Sequence, residues 1–171
     1  MKVGFFVGKF LPPHKGHLWS IEQASKQCDV LYVLVAENKE TCQKLCEQAH
    51  IPYFDLATKT KWIKDALQEY KNVKVISMGE DGIKPMPEGW KQWSENVQKL
   101  VGQHIDVIFG SEPTYAPYYQ KYFPNSKYVL QDVERINVNT SSTKIRADLK
   151  KNLSFIIDSA RPFFEKALKN K

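Results

Sequence analysis

The chain has 171 residues, 42% of them hydrophobic and 26% charged, with a formal net charge of +6; this balance fits a globular domain and excludes a disordered or low-complexity chain. The opening apolar stretch meets Lys9 too early for a signal peptide, no later run is long enough to span a bilayer, and the three cysteines form no evident disulfide framework, so the expected compartment is the cytoplasm. The lysines are scattered, with no basic arm, helix-turn-helix or zinc-finger spacing, so the positive excess favours a small anionic ligand over a nucleic acid or a membrane.

In chain order, "KVGFFV" is predicted as a first strand and "HLWSIEQASKQC" as a helix with Leu18, Ile21, Ala24, Ser25 and Cys28 on one side. "DVLYVLVA" is a continuous apolar run, the pattern of a strand covered on both faces. "KTKWIKDALQEY" is helical, with Trp62, Ile63, Ala66, Leu67 and Tyr70 as its stripe. "VKVISM" is a strand, "GWKQWSENVQKLVG" a helix capped near Gly102, and "DVIFG" a short strand. "PTYAPYYQKYF" reads as a helix or pair of turns interrupted at Pro117, and "KYVLQD" as the last strand. "SSTKIRADLKKN" and "ARPFFEKALKN" are predicted as closing helices. The alternation predicts an α/β fold, a doubly wound, Rossmann-like parallel sheet formed by residues 1–171 as a single domain, with C-terminal helices from about 142. Ligands of such sheets bind beyond the carboxyl ends of the strands, so the loops at 8–16, 79–89 and 110–115 are the places to look.

The first of these loops, "GKFLPPHKGH", is suited to phosphate. Gly8 lets the backbone come close to a ligand, Pro12 and Pro13 stiffen the turn, and Gly16 opens a helix whose free N–H groups favour an anion. His14 and His17 at that helix start can each donate to a phosphoryl oxygen, and Lys9 adds a fixed cation. Neither the dinucleotide fingerprint nor the Walker loop is present. A loose loop with incidental histidines is the plainer alternative.

A second candidate anion site is "NTSSTKIRAD". Ser141, Ser142 and Thr143 are placed as a cap and first turn, and Arg146 follows Ser142 by about one turn, so it can face the same ligand. Taken alone, this is an ordinary capped helix with a surface arginine; taken with the first loop, it fits a polyphosphate. Farther from these loops, Cys42, Cys46 and His50 would share one face if 39–50 is helical. No fourth metal ligand is near in sequence, so a partly exposed, mobile segment is the expectation there.

"GKFLPPHKGH" and "TSSTKIR" resemble the two signatures of the nucleotidyltransferase superfamily with the HxGH motif. "EDGIKPMPEGWKQWSENV", "FGSEPTYAPYYQKYF" and "SARPFF" narrow the resemblance to the nicotinamide mononucleotide adenylyltransferase domain of NadR-type proteins. NadR-type proteins usually continue into a kinase domain and some carry an N-terminal DNA-binding domain; this chain's 171 residues are expected to hold neither. The chain carries lysines in "KTKW", at 59–62, where the family often has arginines.

The resemblance implies transfer of AMP from ATP to nicotinamide mononucleotide, giving NAD and pyrophosphate. His14, His17, Lys9 and Arg146 would be the catalytic residues. Gly8, Phe10, Gly16, Gly110, Ser111, Glu112, Ser141, Ser142 and Thr143 would hold the nucleotide. Glu80, Asp81, Trp90 and Trp93 would hold the acceptor, with Trp90, nearer the loop, as the stacking surface for a cationic ring and Trp93 as core. Mg²⁺ is expected with ATP, held by phosphate and water, with no protein metal ligands and no tightly bound cofactor. The expected ligands are ATP, nicotinamide mononucleotide and NAD, with no nucleic-acid or membrane partner; a homo-oligomer is left open. The alternatives are nicotinate mononucleotide or phosphopantetheine as acceptor, CMP transfer to a phosphorylated alcohol, or a nucleotide sensor without turnover.

Overall fold

The computed structural model describes residues 1–170. Five strands, β1 (Val3–Gly8), β2 (Val30–Glu37), β3 (Val73–Gly79), β4 (Val107–Gly110) and β5 (Lys127–Leu130), pair in parallel in the order β3-β2-β1-β4-β5. The helices are α1 (Lys15–Ser25), α2 (Lys39–Gln48), α3 (Leu56–Leu67), α4 (Trp90–Val101), α5 (Ala116–Tyr122), α6 (Ser142–Ala147), α7 (Leu149–Asn152) and α8 (Arg161–Lys169). Among the described residues no helix is long and apolar enough to cross a membrane.

The period-2 geometry of a strand divides the core into two layers. Leu31, Val33 and Val35 of β2, with Phe6, Val107 and Phe109, pack with residues of α1, α2, α3 and α6–α8. Tyr32, Leu34 and Ala36, with Phe5 and Ile108, pack with α4 and α5. Every residue of β2 is buried, as its unbroken apolar run requires, whereas the edge strand β3 is only partly covered.

Several boundaries differ from the sequence reading. The first helix begins at Lys15 rather than His17, because His14 caps it. Pro117 does not interrupt a helix: it lies in the first turn of α5, where its missing N–H costs nothing. "SSTKIRADLKKN" is two short helices, because Asp148 ends α6 and its carboxylate caps α7 at the Lys151 N–H.

The order of strands reverses between β1 and β4. Chain direction puts the ends of both strands, Gly8 and Gly110, on the same edge of the sheet. A parallel sheet opens a crevice at such a reversal.

Candidate active site

His14 and His17 start α1 by capping it with each other. The Nδ1 of His14 accepts from the Gly16 N–H at 3.1 Å, and the Nδ1 of His17 accepts from the His14 N–H at 3.0 Å. This is a reciprocal capping box built from imidazoles rather than from the usual hydroxyl and carboxylate. The rings stack with centroids 3.6 Å apart. A Cβ on Gly16 would lie 2.8 Å from the His14 ring, so glycine makes room for the cap.

The cap fixes the protonation of both rings. An Nδ1 that accepts a backbone N–H carries no proton, so each neutral ring holds its proton on Nε2. Burial and then the charge of Arg135 lower the His14 pKa to about 3. His17 is also held well below its ordinary range, by burial, by His14 and by Arg135. Two uncharged imidazoles thus offer Nε2–H donors, as a phosphoryl clamp needs.

Both histidines line a cleft of about 140 Å³ between the ends of β1 and β4, together with Gly8, Gly110, Ser111, Gln131 and Arg135. The 8–16 and 110–115 loops therefore meet as expected. Sequence reading missed Gln131 and Arg135, because the loop after β5 carries no motif. Gln131 is buried and tied by its Nε2 to the Ser20 carbonyl at 3.0 Å. The close approaches foreseen for two glycines are taken up by the protein itself: a Cβ would lie 2.9 Å from the Phe10 ring at Gly8 and 2.6 Å from the Tyr128 hydroxyl at Gly110.

Phe10 is buried behind the loop, edge-on to His17 at 4.6 Å. It supports that ring and is absent from the cleft lining. Glu112 is also employed internally, since its carboxylate accepts from the N–H and hydroxyl of Thr114.

α6 holds the first loop in place. Ser142 donates to the Pro12 carbonyl at 3.1 Å, and Arg146 donates to the Leu11 carbonyl at 2.6 Å. The two side chains do share a face, as their spacing predicts, but what they grip is the loop backbone. Neither lines the histidine cleft. Ser141 caps the Lys144 N–H at 3.1 Å, and Thr143 is exposed.

On the other side of Gly8 lies a cleft of about 330 Å³, with Lys9, Glu80, Trp90, Trp93 and Tyr119 in its wall. Lys9 is ion-paired with Glu80. Trp90 stacks parallel on Tyr118 with centroids 5.1 Å apart. Both tryptophans are buried and both border the cleft, so the division into one ligand contact and one core residue gives way to a shared wall. The indole N–H of Trp93 is buried without a partner. Asp81 is exposed and lies outside that wall.

Cys42 and Cys46 are buried core residues facing Phe54, whereas His50 and most of the rest of 39–50 are exposed, so the segment is partly exposed as expected, and α2 packs on the core through its two cysteines. Among the described residues no cluster of three metal-ligating side chains occurs. The lysines of "KTKW" are both occupied. Lys59 is fully buried beside Glu37 at 3.7 Å, and exposed Lys61 pairs with Asp65 at 2.9 Å.

Residues 5–148 match the cytidylyltransferase-like family. The trifunctional NAD biosynthesis/regulator protein NadR of Escherichia coli is 28% identical over 166 residues, which are 95% of this chain and 40% of that protein. A phosphopantetheine adenylyltransferase of Streptococcus sanguinis is 37% identical over 76 residues, 44% of this chain and 41% of that one. Among solved structures, a NadR protein in complex with NR superposes with a TM-score of 0.76 at 22% identity, covering 95% of this chain and 45% of that one. A bifunctional NMN adenylyltransferase/ADP ribose pyrophosphatase from Francisella tularensis gives a TM-score of 0.70 at 18% identity, covering 98% and 50%. These two likenesses are of fold. The chain spans less than half the length of the NadR relative and of the NadR structure and half of the Francisella chain, and the match to the phosphopantetheine adenylyltransferase is confined to less than half of either chain.

Proposed function

The chain belongs to the cytidylyltransferase-like family, and from that premise we propose that it transfers AMP from ATP to nicotinamide mononucleotide, forming NAD and pyrophosphate. The observation that carries this reading is the pairing of two clefts across Gly8. One offers two neutral Nε2–H donors and a guanidinium; the other offers a wall of aromatic side chains, Trp90, Trp93, Tyr115 and Tyr119. The first suits a polyphosphate and the second a flat, cationic pyridinium ring. The NadR relative, with its similarity over nearly the whole chain, favours this acceptor over phosphopantetheine.

A phosphate oxygen of the mononucleotide attacks the α-phosphorus of ATP. The new O–P bond forms as the bond to the bridging oxygen breaks, and pyrophosphate leaves with the electron pair. The attacking group is already anionic at neutral pH, so no general base is needed. Catalysis is positioning and charge stabilisation. His14 and His17 donate to the oxygens around the reacting phosphorus. Lys9, in the wall of the aromatic cleft and next in sequence to Gly8, neutralises the incoming phosphate once Glu80 shares it. Ser142 and Arg146 hold the first loop, and Ser141 and Thr143, at the cap and first turn of α6, are placed to meet the outer phosphates. ATP enters with Mg²⁺ as part of the substrate; the cleft's N–H donors are partners for phosphate oxygens and do not ligate a cation.

The test is pyrophosphate release from ATP and Mg²⁺ with nicotinamide mononucleotide, nicotinate mononucleotide, phosphopantetheine or no acceptor. Release with the first, accompanied by NAD, is expected. Release only with phosphopantetheine would replace the acceptor, and absence of release with any would leave a nucleotide-binding protein without turnover.

A further inference from the structure

We propose that Arg135, on the loop after β5, is the guanidinium that grips the leaving pyrophosphate, while Arg146 serves to brace the loop that carries the histidines. The inference rests on the adenylyl-transfer reading and adds to it a residue in a segment that carries no motif.

The argument begins with charge. Arg135 borders the same cleft as His14 and His17. Its charge is felt at both rings, where it helps to keep them neutral. An arginine facing two neutral donors forms with them a set of N–H groups to which an anion is the natural partner. Among the described residues no carboxylate pairs with it. Of the two acids in its own turn, Asp132 is spent on the backbone N–H groups of Ile136 and Asn137, at 2.9 and 3.1 Å, and Glu134 is exposed and makes no ion pair with it.

The backbone points the same way. Arg135 has a φ of 55°, in the left-handed region that a long side chain enters only at a cost. One guanidinium nitrogen donates to the Thr140 carbonyl at 3.1 Å. Thr140 precedes the Ser141–Ser142 turn, so Arg135 bridges the histidine cleft to that turn. The remaining N–H groups keep the planar fork that matches two phosphoryl oxygens. Arg146, by contrast, is drawn to the Leu11 carbonyl and away from the cleft. Negative charge grows on the leaving pyrophosphate as the bridging bond breaks, and a fixed cation there lowers the barrier.

The test compares wild type with Arg135→Gln and Arg135→Lys by equilibrium binding of ATP with Mg²⁺, pyrophosphate and AMP, none of which needs an acceptor. The expected result is that Arg135→Gln weakens ATP and pyrophosphate at least tenfold and AMP less than threefold. Arg135→Lys should fall between, since it keeps the charge and loses the fork. Equal weakening of ATP and AMP would make Arg135 a brace for its loop and overturn the proposal, as would unchanged ATP affinity. Because the readout is a ratio within one variant, partial loss of folding cancels. If the ratio shifts as expected but nicotinamide mononucleotide gives no pyrophosphate release, the acceptor reading fails and Arg135 stands. If wild type binds no ATP, both are overturned.

Discussion

The pair His14 and His17 does two jobs with different atoms. Their Nδ1 atoms terminate a helix, and their Nε2–H groups face a cleft. The jobs can be separated by His17→Asn, whose side-chain oxygen can still accept the His14 N–H but which has no donor at the Nε2 position. Turnover should fall by roughly 10²–10³, as when one oxyanion donor is removed, while the melting temperature stays close to wild type; near-normal turnover would sink the clamp assignment. The same geometry makes stability depend on pH. Both folded-state pKa values lie below the ordinary value of 6.5, that of His14 at about 3. Between those limits the unfolded chain binds protons that the native state does not. Unfolding then takes up protons, so the histidines' contribution is whole above pH 6.5 and is lost as pH falls from there toward 3. Melting curves from pH 7.5 to 5 should show this decline, and His14→Asn, which retains a cap acceptor without a titratable ring, should decline less. Equal slopes would show that other groups govern the decline.

At the scale of elements, α6 is a clip. Of its six residues only Ile145 is fully buried, and beside it Ser142 and Arg146 seize consecutive carbonyls of the first loop. Arg146→Met should therefore destabilise the fold by about 1.5–3 kcal/mol, the range for a hydrogen bond to a charged donor, read as a lowered denaturant midpoint. ATP binding should suffer because the loop shifts; an unchanged midpoint would return Arg146 to the ligand. α4 is a wall. Trp93→Phe removes the unpartnered N–H together with the five-membered half of the indole and so loosens the wall, and the KM for nicotinamide mononucleotide should rise several-fold with that for ATP little changed; equal effects on both would make Trp93 purely a core residue. The spacing of Ser142 and Arg146 was legible in the sequence because i and i+4 share a helix face whatever lies opposite. What lies opposite is set by tertiary packing, which spacing does not encode. The same limit explains the tryptophans: a spacing of three puts them on one face but does not say that the face has a cleft at its end.

For the molecule as a whole, strand patterns and the βα alternation carried the architecture, since a run such as Val30–Glu37, buried along its whole length, has few other places to go than the middle of a parallel sheet. The switch point between Gly8 and Gly110 followed from topology. The loop of Gln131 and Arg135 did not, because no periodic or glycine signal marks it. Lys59 was the least legible residue. The helix stripe gave its neighbours, but a lysine at a position of full burial has no sequence signature. It is joined to Glu37 at 3.7 Å, while Tyr53 donates to the other oxygen of Glu37 at 3.2 Å. This ties α3 and the segment before it to the end of β2, beneath the candidate site. Burial pushes the Lys59 ammonium below its ordinary range, opposed by the nearby Cys42 and Glu37. A pair so placed owes its worth to both members being present. Removing one leaves a buried charge without a partner, so Lys59→Met should cost about 3–5 kcal/mol. Replacing both, as Lys59→Met with Glu37→Gln, should recover much of that loss, because no isolated charge remains. Denaturant unfolding of the two singles and the double closes the cycle. A coupling near zero would mean that Lys59 finds water or another partner in the folded protein, and that the connection of α3 to the sheet rests on its apolar face, with Ile63 and Leu67 at its centre.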